Sequence, residues 1–141
     1  MIGRRVIAGS LGLLLGALAG LPVAVGQSPA PATQAAPGIK RTIVQKVDVP
    51  GTNLETIVAV AEIVPNFKAG RHTHPGNVVG YVTEGEFFIT LDGQAEKQVN
   101  VGESVLVPDG AAHDEGTREK PTKLIAIYVV EKGKPLAAAA K

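Results

Sequence analysis

The stretch Gly70-Arg71-His72-Thr73-His74-Pro75-Gly76 holds two of the three histidines in this 141-residue chain; Val107-Pro108-Asp109-Gly110-Ala111-Ala112-His113 holds the third. On an extended strand, residues i and i+2 face the same way, so His72 and His74 present two imidazoles side by side. Pro108-Asp109-Gly110 reads as a tight turn: proline presets φ, the aspartate bonds its own backbone, and glycine supplies a positive φ. That turn delivers His113 at the start of a returning segment. Three imidazoles converging on one point suit a single divalent transition ion such as Fe, Mn, Ni, Cu or Zn. The competing account is that the histidines are structural or vestigial.

Working outward, the chain reads as strand after strand. Ile43, Val47 and Val49 share one parity against Thr42, Lys46 and Asp48. A long β-branched run over residues 54–64 is closed by Pro65-Asn66. Residues 78–83 and 86–91 flank the Glu84-Gly85 turn, and Asp92-Gly93 is a strong hairpin signal. Residues 94–101 are polar, 104–107 short and apolar. Residues 123–131 alternate, with Ile125, Ile127 and Val129 on one face and Leu124, Ala126 and Tyr128 on the other. Eight or nine short strands with Gly/Pro turns and no helical period predict an all-β single domain, a jelly roll or small barrel.

The ends differ from this body. A basic start with Arg4 and Arg5, an apolar run over residues 6–21 and a small-x-small pattern at Ala24-Val25-Gly26 read as a signal peptide over residues 1–26. An uncleaved anchor is the alternative, because Gly12, Gly16 and Gly20 form a ladder usable for helix pairing. The arginine pair hints at twin-arginine export. Residues 27–38, rich in Pro and Ala, read as a leader that buries no core; residues 39–136 are the domain, and 137–141 a flexible tail. The expected location is therefore periplasmic or secreted, with no stable membrane association once the signal is cleaved. Cysteine is absent, which excludes disulfides and thiolate chemistry. Net charge is +1 and aromatics are 4% of residues, so no basic, aromatic-lined surface for nucleic acid is expected.

At this point the residues resemble the cupin family. Its first motif runs Gly, five residues, His-x-His, three or four residues, Glu, six residues, Gly. Its second runs Gly, five residues, Pro-x-Gly, two residues, His, three residues, Asn. His72, His74 and Gly85 fall on the first; Gly102, Pro108, Gly110 and His113 fall on the second. The resemblance implies a single-domain cupin jelly-roll β-barrel with a metal held inside by His72, His74 and His113, and a homodimer. It departs at three places. Asn66 stands for the opening glycine, which is tolerable because Asn also visits the left-handed region. Thr117 stands for the closing asparagine. Val78 (or Val79) stands for the metal-binding glutamate. A site without that carboxylate leaves an open coordination face and a stronger Lewis acid, an arrangement similar to three-histidine cupin dioxygenases.

Asn77, Val78, Gly80 and Val82 are the candidate substrate pocket, small and largely apolar, although Asn77 also reads as a turn residue. Glu115 has the strand parity of His113 and Asp114 the opposite one; both read as surface carboxylates, leaving no general base evident. Arg71 reads as a solvated charge or an anion-steering group. Phe67, Tyr81, Phe87 and Phe88 read as core or dimer contacts. Three functions follow: a dioxygenase-like metalloenzyme acting on a small molecule, a non-catalytic metal- or ligand-binding module, or a structural protein with a vestigial site.

Overall fold

The computed structural model describes residues 32–141, with side chains from residue 36. The expected signal segment and the start of the leader lie outside these residues. The described residues form strands and no helix: β1 (Ala32–Ala36), β2 (Ile39–Asp48), β3 (Leu54–Ile63), β4 (His72–Thr73), β5 (Gly76–Glu84), β6 (Glu86–Leu91), β7 (Lys97–Asn100), β8 (Ser104–Val107), β9 (His113–Gly116), β10 (Thr122–Glu131) and β11 (Ala138–Ala139). They build two sheets, ordered β1-β2-β3-β10-β5-β8 and β11-β4-β9-β6-β7, with every pairing antiparallel. This is the expected all-β jelly roll.

Parity decides which residues enter the core. On β3, Ile57, Ala59, Ala61 and Ile63 are buried, and on β10 Leu124, Ala126, Tyr128 and Val130; they face Phe87, Ile89 and Val99 of the smaller sheet. The inward row of β10 is less apolar than the outward Ile125-Ile127-Val129 row. Register explains the choice. Ala126 pairs with Ala59 on one side and Gly80 on the other, so a band of small side chains crosses the large sheet and leaves room inside the barrel. A shift by one residue would fill that space with isoleucine and valine.

Three expectations are corrected here. Val47 does not share the inward face with Ile43: the register shifts between Ile43 and Gln45, which inverts the parity and leaves Val47 52% exposed. Part of the leader is a strand: Ala32–Ala36 pairs with Ile39–Ile43 of β2 around Pro37-Gly38. Strand addition is backbone chemistry and needs no core-forming side chains. The tail is likewise a strand, with Ala138 opposite Thr73 and Ala139 opposite His72.

Turn chemistry follows the motif positions. Asn66 is left-handed (φ 56°), the one non-glycine with positive φ among the described residues, in the place where the family pattern has glycine. Thr117, just after β9, joins it: its hydroxyl donates to the Val64 carbonyl at 2.6 Å and accepts from the Phe67 amide at 3.1 Å. Gly85 turns β5 into β6 at φ 78°, where an added Cβ would lie 2.1 Å from the Pro121 carbonyl oxygen. Gly85→Ala is therefore expected to destabilise the barrel by about 2 kcal/mol or more, read as a lower urea midpoint at unchanged m-value.

Candidate metal centre

The two histidine segments are brought together by backbone pairing. His72 on β4 sits opposite His113 on β9. The chain then leaves the smaller sheet after Thr73 and enters the larger one at Gly76, so His74 lies at the corner between them rather than on one continuous strand with His72. The ring planes of His72 and His74 are 85° apart with centroids at 4.9 Å; His72–His113 and His74–His113 centroids are 4.2 and 5.0 Å apart. The Pro108-Asp109-Gly110 turn closes as expected, with Ala111 N–H donating to the Pro108 carbonyl at 3.1 Å and Gly110 at φ 67°. It is docked onto the first segment: Gly110 N–H donates to the His74 carbonyl at 3.1 Å and Asp109 N–H to Asn77 Oδ1 at 2.9 Å.

Each imidazole is held by its Nδ1–H. That of His72 donates to the Gly70 carbonyl (2.7 Å), that of His74 to the Leu136 carbonyl (2.5 Å), and that of His113 to the Ala111 carbonyl (3.0 Å). A carbonyl only accepts, so all three rings are fixed as the tautomer whose Nε2 carries a free lone pair. The potential ligand atoms of the three lie within 4.8 Å of one another, and all three side chains are buried. His113 is fully buried, and its Nε2 has no hydrogen-bond partner among the described residues. An unsatisfied buried acceptor costs on the order of 1–3 kcal/mol, whereas a metal ion would satisfy all three lone pairs at once. The donor set fits a divalent transition ion.

Electrostatics agree. Burial pushes the His74 imidazole down to about 4; the Leu136 carbonyl opposes this, and the His72, His113 and Arg41 charges add to it. A ligand histidine must be neutral, and this one stays so through neutral pH.

Beside His74 lies an internal cavity of about 30 Å³. Val78 and Gly80 line it, while Val82 has the same inward parity and is 1% exposed in the core. Asn77 is corrected: it is exposed on the outer face of β5, where it holds the Pro108-Asp109-Gly110 turn rather than a pocket. Glu115 is corrected too. Its side chain is only 14% exposed, lines the cavity, and places Oε2 3.8 Å from His113 Nε2. Asp114 has the opposite parity, as expected. Arg41 and Tyr128 also line the cavity and were not singled out from the sequence. Their signal was parity: Arg41 alternates with Ile39 and Ile43, and Tyr128 with Leu124 and Ala126. Burial raises the Tyr128 phenol above its ordinary value, opposed by the Arg41 charge, so it remains a donor.

A larger groove of about 550 Å³ opens beside His72, bounded by Phe67–Arg71 and Ala137–Ala139, with Arg41 shared between groove and cavity. Its lining includes the cations Arg41, Lys68 and Arg71 and no carboxylate. Arg71 is not free to steer: it is paired with both Asp92 oxygens and donates to the Lys141 carbonyl, which ties down the tail.

An all-β barrel with three inward histidines at the junction of its two sheets defines the class, the cupin jelly roll. Residues 59–128 match the cupin domain family. Among solved structures the chain is similar to KdgF from Halomonas sp. (22% identity, TM-score 0.58, covering 72% of this chain and 88% of that one). It is similar to the DMSP lyase DddQ from Ruegeria pomeroyi DSS-3 (16%, 0.55, covering 60% and 43%) and to an oxalate decarboxylase variant from B. subtilis (14%, 0.61, covering 78% and 30%). The chain thus spans less than half the length of the last two, and at these identities the likeness is one of fold. No curated protein sequence matches.

The His74 geometry makes a pH prediction for chelator-treated protein. Its folded pKa lies below the value of about 6.5 of an unfolded histidine, so the unfolded chain gains a proton first as pH falls. The contribution of His74 is fully present above about pH 6.5 and is lost as pH falls toward 4, on the order of 3 kcal/mol. Urea titrations at stepped pH check this, with a flatter slope expected in His74→Gln.

Proposed function

We propose that this chain is a mononuclear metal-binding cupin whose centre, held by His72, His74 and His113, acts on a small anionic molecule. The observation that carries the reading is the set of three imidazoles, each locked through Nδ1–H with its Nε2 turned to one point, one of them buried and unpartnered. When bound, a divalent transition ion supplies Lewis acidity and, if redox-active, dioxygenase-like chemistry. The chain's own residues do the rest. Lys68 and Arg41 draw an anion through the groove, Arg41 carries it from groove to cavity, and the Tyr128 hydroxyl supplies a donor deep inside. The small apolar wall of Val78, Gly80 and Ala126 limits the size of what reaches the histidines.

One observation favours a second reading, a non-catalytic binding module: the cavity of about 30 Å³ is the size of a water-scale void, and a larger substrate must displace side chains or stay in the groove. Export of the mature domain is part of the proposal on the sequence of residues 1–26 alone.

A homodimer is supported by the outer face of the large sheet. Gln45-Val58-Ile127-Val79-Leu106 forms one cross-strand row and Thr42-Val60-Ile125-Tyr81-Ser104 the next, with Tyr81 43% and Leu106 54% exposed. The two rows cross five strands and form one continuous, largely apolar face that a second copy of the chain would cover.

Elemental mass spectrometry of protein from the exported fraction tests the centre. Near-stoichiometric transition metal is expected, falling at least tenfold in His74→Ala; metal below a tenth of stoichiometry in the wild type would remove the reading. Oxygen uptake with small chelating carboxylates then separates catalysis from binding. For the dimer, light scattering is expected to give twice the monomer mass, reverting to monomer in Tyr81→Lys.

A further inference from the structure

We propose that Glu115 is the carboxylate of the metal centre, delivered from β9 in place of the glutamate that β5 lacks at Val78. The inference rests on the metal-binding reading above and assigns to that centre a residue which its motif does not contain.

Val78 and Glu115 approach the same cavity from different sheets, Val78 from β5 of the large sheet and Glu115 from β9 of the small one. Glu115 follows His113 by two residues, so the alternation of the strand that aims His113 inward aims Glu115 inward as well. Two ligands about 2.1 Å from one ion at octahedral or tetrahedral angles are about 3.0–3.4 Å apart. Glu115 Oε2 stands 3.8 Å from His113 Nε2, beyond hydrogen-bonding distance and about half an ångström from such an edge. The glutamate side chain has three rotatable bonds over which a gap of that size can close.

Charge gives the reason for the carboxylate. Three neutral imidazoles leave the full +2 of the ion inside a barrel of low dielectric, next to Arg41, whose charge already acts on His74. Such a charge needs an anion nearby. Among the residues lining the cavity Glu115 is the only carboxylate. Other candidates are committed elsewhere: Asp92 is exposed and paired with Arg71, and buried Glu55 is held by Lys46 at 2.8 Å. Without an ion, Glu115 faces a neutral, unpartnered nitrogen and gains little there. With an ion, the carboxylate and the cation compensate each other.

The site has three histidines and one carboxylate, as a motif glutamate would provide, but the carboxylate enters from the opposite wall. A substrate would approach such a centre from the Val78 side, between the small residues of β5 and β10.

The test is cobalt(II) binding to the full mature chain, followed by its visible absorption and by calorimetry, at one pH near neutral. Glu115→Gln, nearly isosteric, is expected to bind at least tenfold more weakly and to lose intensity or shift its d–d bands, while its metal-free melting temperature stays at the wild-type value. Adding Val78→Glu to Glu115→Gln is expected to restore most of the lost affinity. Wild-type binding with an unchanged constant and spectrum in Glu115→Gln would overturn the role of Glu115 and leave the three-histidine centre standing. No cobalt binding by the wild type would overturn the centre itself, and the inference with it. If the double variant does not fold, the single variant decides alone.

Discussion

The structure depends on three ring N–H groups bonded to three backbone carbonyls. Gly70, Ala111 and Leu136 each accept one Nδ1–H, and those bonds dictate the tautomer, the ring angle and the direction of the lone pair for His72, His113 and His74. Two of the acceptors lie two residues before their histidine, so local backbone shape sets those rings. The third lies 62 residues away, at Leu136 just before the tail. The tail is thus a structural part of the centre: β11 pairs beside His72, Ala140 N–H donates to the Arg71 carbonyl, and Arg71 holds the last residue.

The same constraint accounts for what surrounds the centre. Buried polar atoms need partners, and among the buried side-chain nitrogens and oxygens of the described residues His113 Nε2 stands without one. Beside His74 the small residues Gly80 and Ala126 leave space, and polarity comes from Arg41, Tyr128 and Glu115. Small residues and the polar Arg41 and Tyr128 share the large-sheet wall of a narrow pocket, and Glu115 faces them from the small sheet.

Much of this was legible in the residues. The three histidines, the Pro-Asp-Gly turn, the left-handed Asn66 and the strand boundaries near Asp92-Gly93 all express local rules: alternation, turn chemistry and the few residues that tolerate positive φ. The illegible parts were set by distant partners. Val47 faced outward because a bulge after Ile43 changed parity. The leader and the tail became strands because sheet edges at β2 and β4 offered unpaired backbone, and alanine-rich sequence carries no sign of which edge it will meet. Asn77 turned outward to hold a loop of the second motif, 32 residues on.

The sequence by itself determined an all-β barrel and the identity of its three inward histidines, because alternation with period two and turn residues act within a few positions of one another. Tertiary structure alone decided which carboxylate stands beside them. Val78 at the motif position and Glu115 two residues after His113 are 37 positions apart in the chain, yet line one cavity. Strand parity can say that a side chain points inward, but only the packing of two sheets shows what it meets there.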